Sequence, residues 1–289
     1  MANKDKAADE IQMISLSELK PYEDAPFKVR DDENMKELVQ SIKDSGILVP
    51  LIARPHAEGG YEILAGHRRA EANRQNNFEK VPVIVKNYDD DTAVILLVDS
   101  NLHREDILPS EKALAYQMKM EALSNQGKRN DLTSRQVGEK LSVDIVSESG
   151  SDSPRNVHRY LRLNNLVDNI RDMVDDKTIP FNTGVEMSYL TAKQQVELLN
   201  TIEAEDNTIP TIDQVRQMRK KADEGELTTA IMEQIMRTEK PEKIKISFDG
   251  DRIKKYFPQN YSKKQIEDAV IKIIENWHRQ QMKRRQMER

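Results

Sequence analysis

No apolar run in this chain exceeds about eight residues, and the longest is the stretch from Gly46 to Ala53. A membrane-spanning helix needs about 20 consecutive apolar residues. The chain must therefore bury its apolar side chains in short strands and on one face of amphipathic helices. The first residues, Met-Ala-Asn-Lys-Asp-Lys, have no apolar core of the kind a signal peptide carries. At roughly 100–200 residues per domain, 289 residues make two domains or three small ones. There is no cysteine, which removes disulfides, Cys-zinc sites, Fe–S clusters and thiol nucleophiles. A cytoplasmic protein without membrane contact is expected. Its formal charge is −5, yet nucleic-acid binding depends on where positive charge sits rather than on the total.

The N-terminal third mixes both kinds of element. Residues 31–46 have the clearest helical pattern: Asp31 or Asp32 can cap, Met35, Leu38, Val39 and Ile42 share a face, and Gly46 stops it. Strand-length apolar runs lie at Ile11–Leu16, Leu48–Ala53, Tyr61–Leu64 and Val81–Val85, with Gly59 and Gly60 turning between the second and third. Helices are expected from His67 to Asn76 and from Asp90 to His103. The alternation lacks a clean βαβ period, so the fold class of this domain is α+β.

Two segments there carry chemistry. At Tyr61–Ala70 a strand ends, Gly66 turns, and a helix opens with His67, Arg68 and Arg69. Free N–H groups at a helix start favour anions, and arginine forks suit phosphate oxygens. The bland alternative is a strand-turn-helix with solvated arginines. In the second segment Asn101 and Arg104 are three apart and share a helix face. Arg104 can meet a phosphate, and the Asn101 amide oxygen can hold a hydrated Mg²⁺; alternatively both are solvated.

Taken together, several segments resemble the ParB partition-protein family: Leu19-Lys-Pro21, Arg30, Leu38 to Pro50, Gly66-His-Arg-Arg-Ala-Glu-Ala72, and Asn101 to Ala113. The likeness runs from Ile14 to about Leu190. It implies a CTP-binding N-terminal domain over residues 10–104, a fold shared with sulfiredoxins, and a helix-turn-helix domain over 105–235 that binds a centromere-like duplex site. It also implies a homodimer able to close as a clamp around DNA. By this resemblance Gly66, His67, Arg68, Arg69, Asn101 and Arg104 contact CTP, and Asn101 contacts its Mg²⁺. Two positions depart from the family pattern. His67 stands where Glu is usual in Gly-x-Arg-Arg, and Ser100 stands where the family has the Glu linked to CTP hydrolysis. Asp99, next door, points about 100° away on a helix. Nucleotide binding is the expectation, with weak hydrolysis as the enzyme alternative. Sulfiredoxin chemistry needs a cysteine. A ParB-like nuclease would gather carboxylates and histidines around a metal, whereas His56, His67, His103, His158 and His278 are scattered.

The middle of the chain is helical. Leu108-Pro-Ser-Glu111 opens a helix to Asn125, with Ser110 as a cap; Thr133 with Gln136 makes a capping box for one to Leu141. Val143–Ser149 is a short amphipathic stretch, Gly150 follows, and Ser153-Pro154 opens a helix to about Leu166. The first helix of a helix-turn-helix is either Val143–Ser149 or Thr133–Leu141, and the second is the same in both cases. From Pro154 to Asn165 there is no acidic residue and there are three arginines. Residues at the N-terminal end of such a helix reach base edges, where Arg reads guanine and Asn reads adenine. Arg155, Asn156 and Arg159 are the candidates for bases; Ser153 and Arg162 are candidates for phosphates. Thr133 and His158 complete the DNA-contact set. A solvated helix in an ordinary bundle is the alternative. Arg216, Arg219, Lys220 and Lys221 form a basic run, partly balanced by Asp223, Glu224 and Glu226, and are expected to be a solvated face.

At the C-terminal end, residues 240–289, Ile244–Phe248 alternates like a strand. Ser262 with Gln265 then starts a long helix whose apolar face includes Ile266, Val270, Ile273, Ile274 and Trp277. Pairing two copies would bury that face; packing on its own chain is the alternative. The leading expectation is a nucleoid-associated partition protein. A transcription regulator on the same scaffold is the second. The usual family partner is a ParA-type ATPase, recruited by a short basic N-terminal segment. Here Lys4 and Lys6 are the only bases before the first strand.

Overall fold

The structure is a computed structural model that describes residues 10–104, 106–129, 143–147, 152–238, 254–258 and 260–287. The chain divides into two compact units, Met1–Thr238 and Glu239–Arg289. In the first unit, five strands make one mixed sheet: β1 (Ile11–Ser15), β2 (Leu19–Pro21), β3 (Leu51–Pro55), β4 (Tyr61–Ala65) and β5 (Lys80–Val85), in the order β1-β5-β3-β4-β2. β1 pairs antiparallel with β5, placing Ile14 opposite Val81; β3 runs parallel to β5 and antiparallel to β4. Ile14, Leu51, Ala53, Ile63, Val81 and Val83 form the core of this sheet. The β3–β4 hairpin turns at Gly59 and Gly60. A Cβ on Gly60 would meet the Glu18 carbonyl oxygen at 2.6 Å, so the close approach of that backbone requires glycine.

Helix α1 (Glu33–Ser45) has the predicted face: Met35 and Ile42 are buried with Ala72 of α2 (His67–Gln75). Asp32 is its cap and accepts from the Met35 N–H at 2.8 Å; the Gly46 N–H closes the other end on the Ile42 carbonyl. α3 (Asp90–Asp99) starts at the Asp89 cap and stops short of the expected His103, because Asn101–His103 turn. β3 begins at Leu51 rather than Leu48. Leu48 and Val49 are largely exposed, and the carbonyls of Val49 and Pro50 are taken by the Arg69 guanidinium instead of a neighbouring strand.

The rest of the unit is helical: α4 (Pro109–Arg129), α5 (residues 143–147), α6 (Pro154–Leu163), α7 (Asp168–Asp175), α8 (Phe181–Met187), α9 (Ala192–Ala204), α10 (Ile212–Asp223) and α11 (Thr229–Arg237). Ser110 does not cap α4. The helix begins one residue earlier, and the Ser110 N–H and hydroxyl both donate to Asp175 of α7. One core cluster holds Val98, Tyr116, Val143, Val146 and Val157, which locks α3, α4, α5 and α6 together. Another, with Leu163, Ile170, Ile179, Leu198, Val215 and Met232, carries α6 on the later helices. The expected helix at Thr133–Leu141 and the expected strand at Ile244–Phe248 lie outside the described residues. In the second unit α12 (Lys263–Met287) opens on the predicted capping box, with Ser262 N–H donating to Gln265 at 2.8 Å and Gln265 N–H to the Ser262 hydroxyl at 3.4 Å. Among the described residues no helix is long and apolar enough to cross a membrane.

Candidate functional site

β4 ends at Ala65, and Gly66 takes the left-handed region, φ +102°, as the N-cap of α2. A Cβ there would lie 3.0 Å from the Arg69 guanidinium and from the Leu51 side chain, so the turn requires glycine for both its backbone and its space. The turn splits the three residues that follow it. His67 and Arg68 line a small cavity with Ala25, Phe27, Val29, Leu97, Asn101 and Arg104. Arg69 sits apart from it, donating to the carbonyls of Val49 and Pro50, the latter at 2.9 Å; it staples the 46–50 loop to α2. Of the six predicted nucleotide residues, His67, Arg68, Asn101 and Arg104 therefore share one cavity, while Gly66 and Arg69 are not among the residues that line it.

Two of the lining residues, Arg68 and Arg104, belong to an arginine–carboxylate cluster. Arg68 donates to Asp32 Oδ1 at 3.0 Å and to Asp106 Oδ2 at 3.3 Å, and Arg104 reaches the same Asp106 oxygen at 3.3 Å. Arg30 donates to the Asp106 carbonyl at 3.2 Å and pairs with Glu111 Oε2 at 2.9 Å. Burial pushes the Asp106 carboxyl up, but the hydrogen bond and charge of Arg104, with the charge of Arg68, outweigh it and hold the group below its ordinary value. Asp106 is thus an anion gripped by two guanidinium groups. Asn101 donates its amide N–H to the Leu97 carbonyl at 2.8 Å, which turns its amide oxygen away from that bond and leaves it to accept. Ser100 donates to the same carbonyl at 3.0 Å, and Asp99 is paired with Lys119 of α4. Among the described residues no group of three or more His, Asp or Glu side chains is placed to hold a metal. Asp32, Asp106 and Glu111 were not read from the sequence as site residues. Apart from Arg104, which stands two residues before Asp106, the arginines they meet are 36 to 81 residues away.

His67 is held neutral. Burial pushes its imidazole down to about 4, against the opposing hydrogen bond to the Ile63 backbone, and its Nε2 is buried with no partner among the described residues. The unfolded chain protonates near pH 6.5, where the folded one does not. The stability this contributes is complete above about pH 6.5 and is lost as pH falls toward 4, by about 3 kcal/mol. Urea titrations at pH 7 and pH 4.5 should show this loss in the wild type and a smaller one in His67→Gln. Equal losses in the two proteins would contradict the assignment.

The second feature is α6. Ser153 caps it, accepting from the Asn156 N–H, and Pro154 takes its first position. Val157 and Leu163 are buried, and Tyr160 packs edge-on to Tyr116 of α4 at 5.8 Å and against Phe181 at 4.8 Å. Asp152, just before the cap, accepts from the Tyr116 hydroxyl at 2.6 Å and pairs with Lys112 at 2.5 Å. Burial pushes the Asp152 carboxyl up, but Lys112, Tyr116 and the Asn156 side chain outweigh it and hold the carboxyl low. The reading-helix candidate is thereby anchored to α4 by charge as well as by packing. Arg155 and His158 are exposed. Asn156 is engaged with Asp152 and accepts from Arg159 at 3.4 Å, while the Arg159 guanidinium lies 5.3 Å from the Phe181 ring centre. Arg162 donates to the Ser188 carbonyl at 2.5 Å and lies over the Tyr189 ring. None of the three arginines is buried. Thr133 lies outside the described residues.

Residues 1–102 match the family described as "ParB N-terminal domain". Over 209 residues the chain is 31% identical to the probable chromosome-partitioning protein ParB of Vibrio cholerae serotype O1, covering 72% of this chain and 66% of that one. Over 214 residues it is 30% identical to stage 0 sporulation protein J of Bacillus subtilis, covering 74% and 70%. The matched stretch thus spans about two thirds of each relative. A solved structure, the C-terminally truncated chromosome-partitioning protein ParB from Caulobacter crescentus complexed to the centromeric parS site, aligns with a TM-score of 0.44 at 20% identity. That alignment covers 78% of this chain and 98% of the other.

Proposed function

The chain belongs to the ParB family of partition proteins, and from that footing we propose that it binds a specific duplex DNA site through α6 in the service of DNA segregation, under the control of CTP and Mg²⁺ held at the arginine cluster. The observation that carries the proposal is a shared rod. The start of α4 meets Arg30 through Glu111, beside the Arg68–Asp106–Arg104 cluster, and the next residue, Lys112, with Tyr116 one turn further, anchors α6 through Asp152. A ligand that changes the first contact acts on the second through a single helix.

The residues fit a nucleotide in charge and chemistry. Arg68 and Arg104 already hold an anionic oxygen, and phosphate oxygens suit the same donors. Asn101 offers an amide oxygen to a hydrated Mg²⁺, which takes few protein ligands beside phosphate. Bound there, CTP supplies the negative charge that stands in for the Asp106 carboxylate. The cavity has room for about 20 Å³, one water, so Asp106 and the 25–29 stretch must part to admit it. Ser100 and Asp99 are both occupied by other partners, so the activity proposed is binding rather than hydrolysis. A homodimer joined through α12 belongs to the same proposal, since Ile273, Ile274 and Trp277 are more than half exposed. So does a ParA-type ATPase as partner.

A genome-wide pull-down of bound DNA followed by sequencing tests this. Enrichment that centres on a short palindromic site and spreads over kilobases is expected. Isolated peaks at promoters would make the protein a transcription regulator, and absence of enrichment over an untagged control would contradict DNA binding.

A further inference from the structure

The basic run on α10 is not an ordinary solvated face. Arg162 of α6 and Arg219 of α10 both place their guanidinium carbons over one exposed ring, Tyr189, at 4.0 and 3.8 Å from its centre. The two cations therefore lie within about 8 Å of each other. Arg216 adds a third, and Arg216 and Arg219 share the Glu186 carboxylate at 3.3 and 3.5 Å. Arg216 is also paired with exposed Asp213, and exposed Lys220, next to Arg219 in sequence, is paired with Glu224 at 4.0 Å. These contacts are long or solvent-facing, and each guanidinium has five N–H donors. Stacking on a ring fixes the plane of a guanidinium; Arg162 spends its Nε and Nη2 on Ser188, whereas Arg219 meets only Glu186, at 3.5 Å, among the described residues and keeps the rest of its edge for the oxygens of a phosphate. Like charges this close repel, so an anion arriving at the patch is favoured.

We infer that Tyr189, Arg219 and Arg216 form a phosphate-binding extension of the α6 interface, which grips the DNA backbone beside the groove that α6 enters. Arg155, His158 and Arg162 follow one another at i, i+3 and i+7 along one helical stripe. At 1.5 Å per residue, Arg162 lies about 10 Å along the axis from Arg155. The ring stack carries positive charge further in space from there. The major groove is about 12 Å wide. With Arg155 at base edges, the stack falls at the height of a flanking phosphate ridge. A duplex backbone suits this better than an acidic peptide, because Arg162 ties the patch to the helix proposed to read DNA.

The inference rests on α6 entering duplex DNA, and one titration separates the two claims. The full-length chain is titrated against a fluorescein-labelled 40-base-pair duplex of mixed sequence, by fluorescence anisotropy, between 50 and 200 mM KCl. Arg219→Gln and Arg216→Ala/Arg219→Gln are compared with the wild type and with Lys193→Ala, an exposed lysine on α9. The single variant should bind about three- to tenfold more weakly, with a salt slope smaller by about 0.9 for each phosphate it no longer neutralises. Lys193→Ala should match the wild type. Thermal melts check that the surface substitutions leave the fold intact. If the wild type binds and the α10 variants share its affinity and slope, this inference falls while the proposed function stands. If the wild type binds no duplex at all, both fall.

Discussion

Replacing Arg68 with alanine is expected to weaken CTP binding by at least about 100-fold in calorimetric titrations with Mg²⁺. Arg68 makes two charge-assisted bonds, to Asp32 and Asp106, from a position where its side chain is 20% exposed. A hydrogen bond to a charged group is worth about 1.5–3 kcal/mol, so two of them transferred to phosphate exceed the roughly 3 kcal/mol that makes a factor of 100. The fold should tolerate the loss. Asp32 keeps its capping bond to Met35 N–H, and Asp106 keeps Arg104. A variant that melts like the wild type and binds CTP within about threefold of it would remove Arg68 from the nucleotide seat. Arg69 offers a contrast within the same motif. Its guanidinium is spent on the Val49 and Pro50 carbonyls, so Arg69→Ala acts by releasing the 46–50 loop rather than by removing a phosphate donor.

Much of the architecture was legible where a local signal and the tertiary environment agree. The stripe Met35, Leu38, Val39, Ile42 between an aspartate cap and Gly46 is α1 within a residue or two at each end, because period, cap and stop all act within the same 16 residues. Ser153-Pro154 opens α6 for the same reason. Boundaries failed where a distant group intervened. Ser110 looks like a cap, but Asp175, 65 residues on, supplies a carboxylate to its N–H, and the helix starts at Pro109. Leu48 and Val49 look like strand residues, yet Arg69 takes the carbonyls at the end of that run.

The site divides along the same line. Gly66, Arg68, Asn101 and Arg104 belong to short motifs, and the fold brings three of them to one cavity with His67. Asp32, Asp106 and Glu111 gain their roles only when the chain folds three separate segments together. Along the sequence they are acidic residues among 50. Asn156 reads as a candidate for bases, and folding adds what the sequence does not show, that its side chain also meets Asp152 and accepts from Arg159 at 3.4 Å. The α10 arginines read as a solvated face because nothing near them in sequence shows that Tyr189, 30 positions earlier, will lie beneath Arg219.

The second large effect concerns α6 itself. Arg155 is exposed at its N-terminal end, and Arg159, one turn on, is steadied by Asn156 and Phe181. A good bidentate contact from arginine to a base is worth about 1–3 kcal/mol of discrimination. Removing both should cost about 2–6 kcal/mol, or roughly 30-fold to more than 10⁴-fold, at the specific site. Binding to unrelated duplex should change far less, because that binding comes from phosphate contacts made elsewhere on the protein. Both side chains lie on the surface of α6, whose packing rests on Val157, Leu163 and Tyr160, so the fold is expected to hold.

The most direct measurement is therefore the ratio of specific to unrelated-duplex affinity, at one fixed salt concentration, for the wild type and for Arg155→Ala/Arg159→Ala. The specific duplex is the fragment most enriched in the genome-wide pull-down. A ratio that collapses toward one in the double variant, with CTP affinity unchanged, is the predicted result. A ratio equal to that of the wild type would show that some other part of the chain reads DNA.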